Sequence, residues 1–178
     1  MIRRLLAVYA VALLAVSAAF GAGAARTSQA LPPVGILTPG VSLGGLQIGD
    51  TQSQVVKRWG HAYAICPENQ CAGTDVVWLF VYTHGEPLGA AVRFSKLGRV
   101  IAVFTLGSPA GWKTHEGLRI GQAVDDAYRI YGQNLAWSVC VGYGAMSMRN
   151  SEAVTSIYTT GDNVYGFAIT APGIPICQ

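Results

Sequence analysis

The sequence predicts an α+β fold of two tandem repeats, each a short helix followed by an antiparallel sheet meander, with the helices on one face. Three observations carry that prediction. Gly45-Leu46-Gln47-Ile48-Gly49 and the later Trp59-Gly60 return as Gly117-Leu118-Arg119-Ile120-Gly121 and Tyr131-Gly132, at a constant offset of 72 residues. Each copy then carries apolar residues at helical spacing, and each helix pattern is followed by runs of branched and aromatic residues separated by short turns.

From the N-terminus, Met1-Ile2-Arg3-Arg4 is a positive start, Leu5 to Phe20 an uncharged apolar run, and small residues continue to Ser28-Gln29-Ala30. This is the pattern of a secretory signal peptide over residues 1–30. Small residues at alternate positions permit cleavage after Ala24 or Ala30, and the change of composition at Leu31-Pro32-Pro33 favours Ala30. An uncleaved anchor is the alternative, because Leu5 to Ala25 is about long enough to span a bilayer. Residues 31–178 then form a single domain, with repeat 1 over 40–107 and repeat 2 over 112–178.

The chain is 51% hydrophobic and 12% charged, with 22 Gly, which excludes a disordered polar tract and suits a turn-rich globule. Arg3, Arg4 and Arg26 lie in the leader, so nine of twelve basic side chains remain beyond it against nine acidic ones. A neutral protein without a basic run has no electrostatic footprint for nucleic acid or anionic lipid, and neither is expected as a partner. Past the leader the longest apolar stretch, Val76 to Tyr82, is seven residues, too short to cross a membrane as a helix.

In the first unit, Thr51 with Gln54 fits a capping box, and Gln52, Val55, Val56 and Trp59 share one helical face. In the second, Val124, Ala127, Tyr128 and Tyr131 fall at i, i+3, i+4, i+7, and Asp125 with Asp126 suits the positive end of the helix dipole. Gly60 and Gly132 are expected to stop the helices in the left-handed conformation. Strands follow at Val76 to Thr83, Gly89 to Ser95 and Arg99 to Leu106, then at Ala145 to Arg149, Val154 to Thr159 and Val164 to Thr170. Ser108 to Glu116, with Pro109 and Gly111, reads as the connector between units.

Cys66, Cys71, Cys140 and Cys177 are an even set in a chain routed to an oxidising compartment, so disulfides are the default over metal or catalysis. Three pairings are possible. The favoured one joins Cys66 to Cys71 and Cys140 to Cys177, the second tying down the C-terminus. A zinc site would need paired short spacings, which one C-x4-C and two distant cysteines lack, and the three histidines are scattered.

The segment G-x-L-x-I-G followed by a capped helix that ends in an aromatic or apolar residue and glycine resembles the opening of the SmpA/OmlA-type envelope lipoproteins. Its duplication is similar to the secreted β-lactamase inhibitor protein family. That resemblance implies two helix-plus-sheet units whose sheets form one concave, aromatic-rich surface that clamps a partner protein, with an acidic loop residue entering the partner's active site. Cys66 and Cys71 take places similar to that family's first disulfide, and Asp75 lies in the following loop. The cysteine loop is much shorter here, the second bridge would run to the C-terminus, and the turn around Asp75 matches only loosely. The resemblance therefore carries the fold and not the target.

Alternation over Val76 to Thr83 puts Trp78, Phe80 and Tyr82 on one face and Val77, Leu79 and Val81 on the other, so both faces are apolar. One face must meet the helices; the aromatic face, if open, is an interaction surface, and otherwise Trp78 and Phe80 fill the core. Trp112 in the connector is a further candidate for exposure. Gly40-Val41-Ser42-Leu43-Gly44 matches G-x-S-x-G formally but lacks the upstream strand of a nucleophile elbow. His115-Glu116 begins H-E-x-x-H, yet Arg119 stands where the second histidine belongs. His61, His84 and Asp75 or Glu86 could build a small hydrolase only if folding united them.

The expected function is thus a secreted, non-enzymatic module without cofactor or metal that binds an extracellular or envelope protein through Asp75, Trp78, Phe80, Tyr82 and Trp112. A cell-wall structural or carbohydrate-binding domain, with the aromatics stacked on sugars, is the alternative.

Overall fold

A computed structural model describes residues 31–32, 34–66, 71, 75–80, 89–107, 111–133 and 135–178. Among these residues the chain is mainly β with two helices. A short N-terminal sheet comes first: β1 (Ile36–Thr38) pairs antiparallel with β2 (Ser42–Leu43) and parallel with β7 (Lys113–Thr114). The connector region is therefore woven into the N-terminal sheet rather than left as a free link.

Helix α1 (Gln52–Trp59) starts as its sequence dictates. The Thr51 hydroxyl accepts from Gln54 N, and the Gln54 side chain accepts from Thr51 N at 2.8 Å. Val55 and Trp59 are buried, Lys57 is exposed, and the partly exposed Arg58 pairs through Nη1 with Oδ2 of the buried Asp50 at 2.7 Å. Helix α2 (Val124–Tyr131) buries Ala127 and has Ala123 at its N-cap, with no side-chain cap hydrogen bond. Both helices stop at glycine, but not in the left-handed helical conformation expected: Gly60 has φ 81°, ψ −169° and Gly132 φ 83°, ψ 178°. Positive φ with extended ψ is essentially reserved for glycine, so each helix turns sharply into a strand instead of winding into a left-handed cap.

The main sheet has eight strands in the order β3-β4-β5-β6-β11-β10-β9-β8, every neighbouring pair antiparallel. One half comprises β3 (Tyr63–Ile65), β4 (Val76–Phe80), β5 (Gly89–Phe94) and β6 (Val100–Leu106). The other comprises β8 (Ala136–Val139), β9 (Gly144–Arg149), β10 (Val154–Thr160) and β11 (Asn163–Thr170). They join through β6 and β11, with Ala168 opposite Phe104. The outermost strands, β3 and β8, were not expected from the sequence.

Each face carries its own apolar cluster. Toward the helices, Val55, Trp59 and Ala127 pack with Trp78, Phe80, Val92, Phe94, Met146, Ile157, Phe167 and Ile169. On the opposite face Leu106, Ala145, Tyr158 and Ala168 meet Ile176 and the Cys140–Cys177 bridge of the C-terminal segment. The Tyr158 hydroxyl donates to Ile176 O at 2.6 Å and the Tyr143 hydroxyl to Gln178 O at 2.8 Å, strapping that segment to the sheet. The second disulfide joins Cys66 and Cys71.

Candidate functional site

The aromatic residues singled out in the sequence converge, but in the interior. Trp78 stacks on Tyr63, with ring centroids 3.9 Å apart and planes 9° apart, and meets Phe94 edge-on at 4.6 Å. Phe80 meets Trp59 at 5.1 Å, and Trp59 meets Trp112 at 5.7 Å. Trp78, Phe80 and Trp112 are all buried, so their assignment to an open binding face is corrected: this is the face that the helices and the N-terminal sheet cover.

Trp112 shows the physical reason most clearly. Its indole lies where a Cβ on Gly35 would be, 2.3 Å away, and its Nε1 donates to Pro32 O at 3.2 Å. A large ring that fills a glycine-sized gap and satisfies its one donor is core. Tyr82 lies outside the described residues, as do His84 and Glu86. Asp75 is not a free acid reaching for a partner, because its Oδ2 pairs with Arg93 Nε at 2.9 Å, both side chains being largely buried.

Catalytic constellations fare no better. His61 and His115 are exposed, Ser42 sits in the two-residue strand β2, and among the described residues no group of three His, Cys, Asp or Glu could hold a metal ion. One cleft of about 380 Å³ is lined by Gly40, Val41, Gln47, Ile48, Glu152 and Ala153. Another, of about 370 Å³, lies between Ser138, Arg149 and Val154 and the C-terminal segment Gly173 to Cys177. Each has one ionisable side chain in its lining, Glu152 or Arg149, where hydrolysis needs a nucleophile and a base together. Burial first, then the Glu116 carboxylate 2.5 Å from its hydroxyl, pushes the Tyr131 phenol up, which makes it a poor proton donor or acceptor near neutrality.

A run of exposed apolar side chains lies at one edge of the main sheet. Trp137 is 53% exposed, Val139 82% and Val141 98%. Trp137 and Val139 alternate with Ser138 on β8 and therefore point to the same face, and Val141 continues the spacing just past the strand. Trp137 lies across Gly144 of β9: a Cβ there would come within 2.5 Å of the six-membered ring. The glycine lets the indole rest on the backbone with its outer side open.

Nothing charged lies near this strand in sequence, since Leu135 to Met148 contains no Asp, Glu, Lys, Arg or His. Sequence reasoning passed over Trp137 because the four-residue strand is shorter than the runs used to recognise strands. The period-two pattern Trp137, Val139, Val141 was the signal that could have found it.

The two disulfides are chemistry of an oxidising, extracytoplasmic environment. Among the described residues no helix is long and apolar enough to cross a membrane. Compared with protein-family models, curated proteins and solved structures, the chain matches none.

Proposed function

We propose that this chain is a secreted, non-enzymatic protein-binding module, made of two copies of one helix-plus-meander unit, that engages a protein partner through the β8 edge of its sheet. The observation that carries the reading is the row of exposed Trp137, Val139 and Val141 along an uncharged strand with no outer neighbour among the described residues. Tryptophan supplies large rigid contact area and is enriched among residues that dominate interface energies. An edge strand adds a line of unsatisfied backbone donors and acceptors.

Support for the duplication comes from hydrogen bonds around the two helix openings, which recur at the offset of 72, although their strand partners Val100 and Val164 lie 64 residues apart. Gln47 N donates to Asp50 Oδ2 and Arg119 N to Gln122 Oε1. Gly49 N donates to Val100 O and Gly121 N to Val164 O, both at 2.8 Å, and Val100 N and Val164 N return to Asp50 O and Gln122 O, also at 2.8 Å. Leu46 and Leu118 are both fully buried. Support for secretion comes from the leader pattern in residues 1–30 and the two bridges.

Affinity capture by the oxidised protein, residues 31–178, from the producer's secreted and envelope fractions tests the reading. Trp137→Ala should weaken capture by about 2 kcal/mol or more, roughly thirtyfold, with the thermal unfolding profile retained. Capture indifferent to Trp137→Ala would remove the proposal. The exposed ring of Trp137 also favours a second reading, stacking on a sugar ring at the cell wall; retention on insoluble wall material alone would select it.

A further inference from the structure

Resting on the reading of the β8 edge as the binding surface, we infer that the partner strand is β8 of a second copy of this chain, added antiparallel about a twofold axis at Ser138. The first argument is backbone direction. Cys140 N donates to Tyr143 O at 2.9 Å, which continues the β8–β9 register of Val139 opposite Gly144 by one pair. Hydrogen bonding alternates along an antiparallel pair, so Ala136 and Ser138 also point inward to β9, and Trp137 and Val139 present their N–H and C=O to the outside. The Cys177 sulfur lies 3.8 Å from Val139 O, but a disulfide sulfur has no proton, so this contact is not a hydrogen bond.

The two residues whose backbone points outward, Trp137 and Val139, also have exposed side chains, as does Ala136. A twofold axis at Ser138 sets Trp137 opposite Val139 of the second copy, and Val139 opposite its Trp137. Both contacts put an exposed indole on an exposed valine, and the same two pairs close four backbone hydrogen bonds. Aromatic and β-branched cross-strand pairs are favourable, and with no charge from Leu135 to Met148 no like charges meet across the axis.

The opposite edge of the sheet lacks this complementarity. There Cys66 N donates to Val77 O, so Tyr63 and Ile65 are the outward residues of β3. The Tyr63 N–H is already spent on His61 O at 2.9 Å, and its ring is stacked on Trp78. In the β8–β9 pair, Gly144 stands opposite Val139 where Trp78 stands opposite Ile65, and Trp137, opposite Met146, stays 53% exposed. Edges are normally blunted by charge, proline or a covering element, and Ala136 to Val139 carries neither charge nor proline.

The experiment is sedimentation velocity over a concentration series on the oxidised protein, residues 31–178, with Val139→Lys, Val139→Glu and their equimolar mixture alongside. Val139 is exposed, so neither variant should disturb the fold, and unfolding midpoints check this. A concentration-dependent dimer in the wild type, monomers for each variant and dimer restored in the mixture is the expected result. A dimer that persists in both variants would place self-association elsewhere and overturn the inference. A monomer at every concentration would overturn it too, and capture then separates the two ideas: sensitivity to Trp137→Ala keeps a different protein as partner, whereas insensitivity removes the binding surface as well.

Discussion

At the scale of single residues, burial decides what a side chain can do, and Tyr158 is the sharpest example. Its ring is buried in the cluster under the C-terminal segment and its hydroxyl donates to Ile176 O. Burial pushes its phenol well above the ordinary value, and burial raises Tyr143 as well. A folded-state pKa above the unfolded value of about 10 means that the stabilisation is complete below about pH 10 and is lost as pH rises beyond it. Tyr158→Phe should cost about 1 kcal/mol at neutral pH through the lost hydrogen bond. It should also flatten the alkaline loss of stability, read by denaturant titration at a series of pH values with tyrosinate absorbance followed in parallel. An unchanged alkaline slope would mean that the phenol is not tied to folding.

The same scale explains why the aromatic residues named in the sequence do not form a surface. Trp78 and Phe80 are legible in the sequence as one face of a strand, and they share a face over Val76–Phe80, the part of that strand within the described residues. Which of two apolar faces the helices would cover was not legible, because Val77 and Leu79 offered an equally apolar alternative. Trp112 was read as a loop residue; its seat depends on Gly35 and Gly44, far away in sequence, leaving room for an indole.

At the scale of elements, the two helices differ in how they begin. The Thr51 cap and Gln54 satisfy backbone donors reciprocally in α1, whereas Ala123 offers α2 no side-chain acceptor. Thr51→Ala should lower stability by about 1 kcal/mol, and Ala123→Ser should raise it by a similar amount, since Ala123 already has the extended backbone of an N-cap. Urea unfolding of the two variants checks both signs; no gain from serine would show that the acidic first turn of α2, Asp125 and Asp126, already supplies what a cap would. The helices were readable because their period and caps are local. The edge strands β3 and β8 were not, because three or four residues carry too little alternation, and they are strands only through the neighbours that hold them.

At the scale of the whole molecule, the two bridges do unequal work. Cys66–Cys71 closes a separation of 5 residues and Cys140–Cys177 one of 37, so by loop-closure entropy they are worth about 2 and about 4 kcal/mol. The double variant Cys140→Ser with Cys177→Ser should lose about twice the stability of Cys66→Ser with Cys71→Ser. Equal losses in denaturant titration would argue that the C-terminal segment is held by Tyr158, Tyr143 and Ile176 rather than by its crosslink. The segment packs on the face opposite the helices, over Tyr158, Ala145 and Ala168, and the β8 edge keeps Trp137, Val139 and Val141 exposed.

By itself the sequence determined the mixed α and β composition, the two helices with their start signals, six of the eight strands of the main sheet and an even cysteine set suited to an oxidising compartment. These are short-range consequences: a helical period, a capping box or a β-branched run acts over a few residues and needs no distant partner. Tertiary structure alone decided that the helices cover the Trp78 face, that Asp75 is tied to Arg93, and that the sheet ends at β8 with Trp137 uncovered. Those outcomes depend on which surfaces meet, and the free energy of burying one apolar face over another is settled only when residues far apart in the chain pack together.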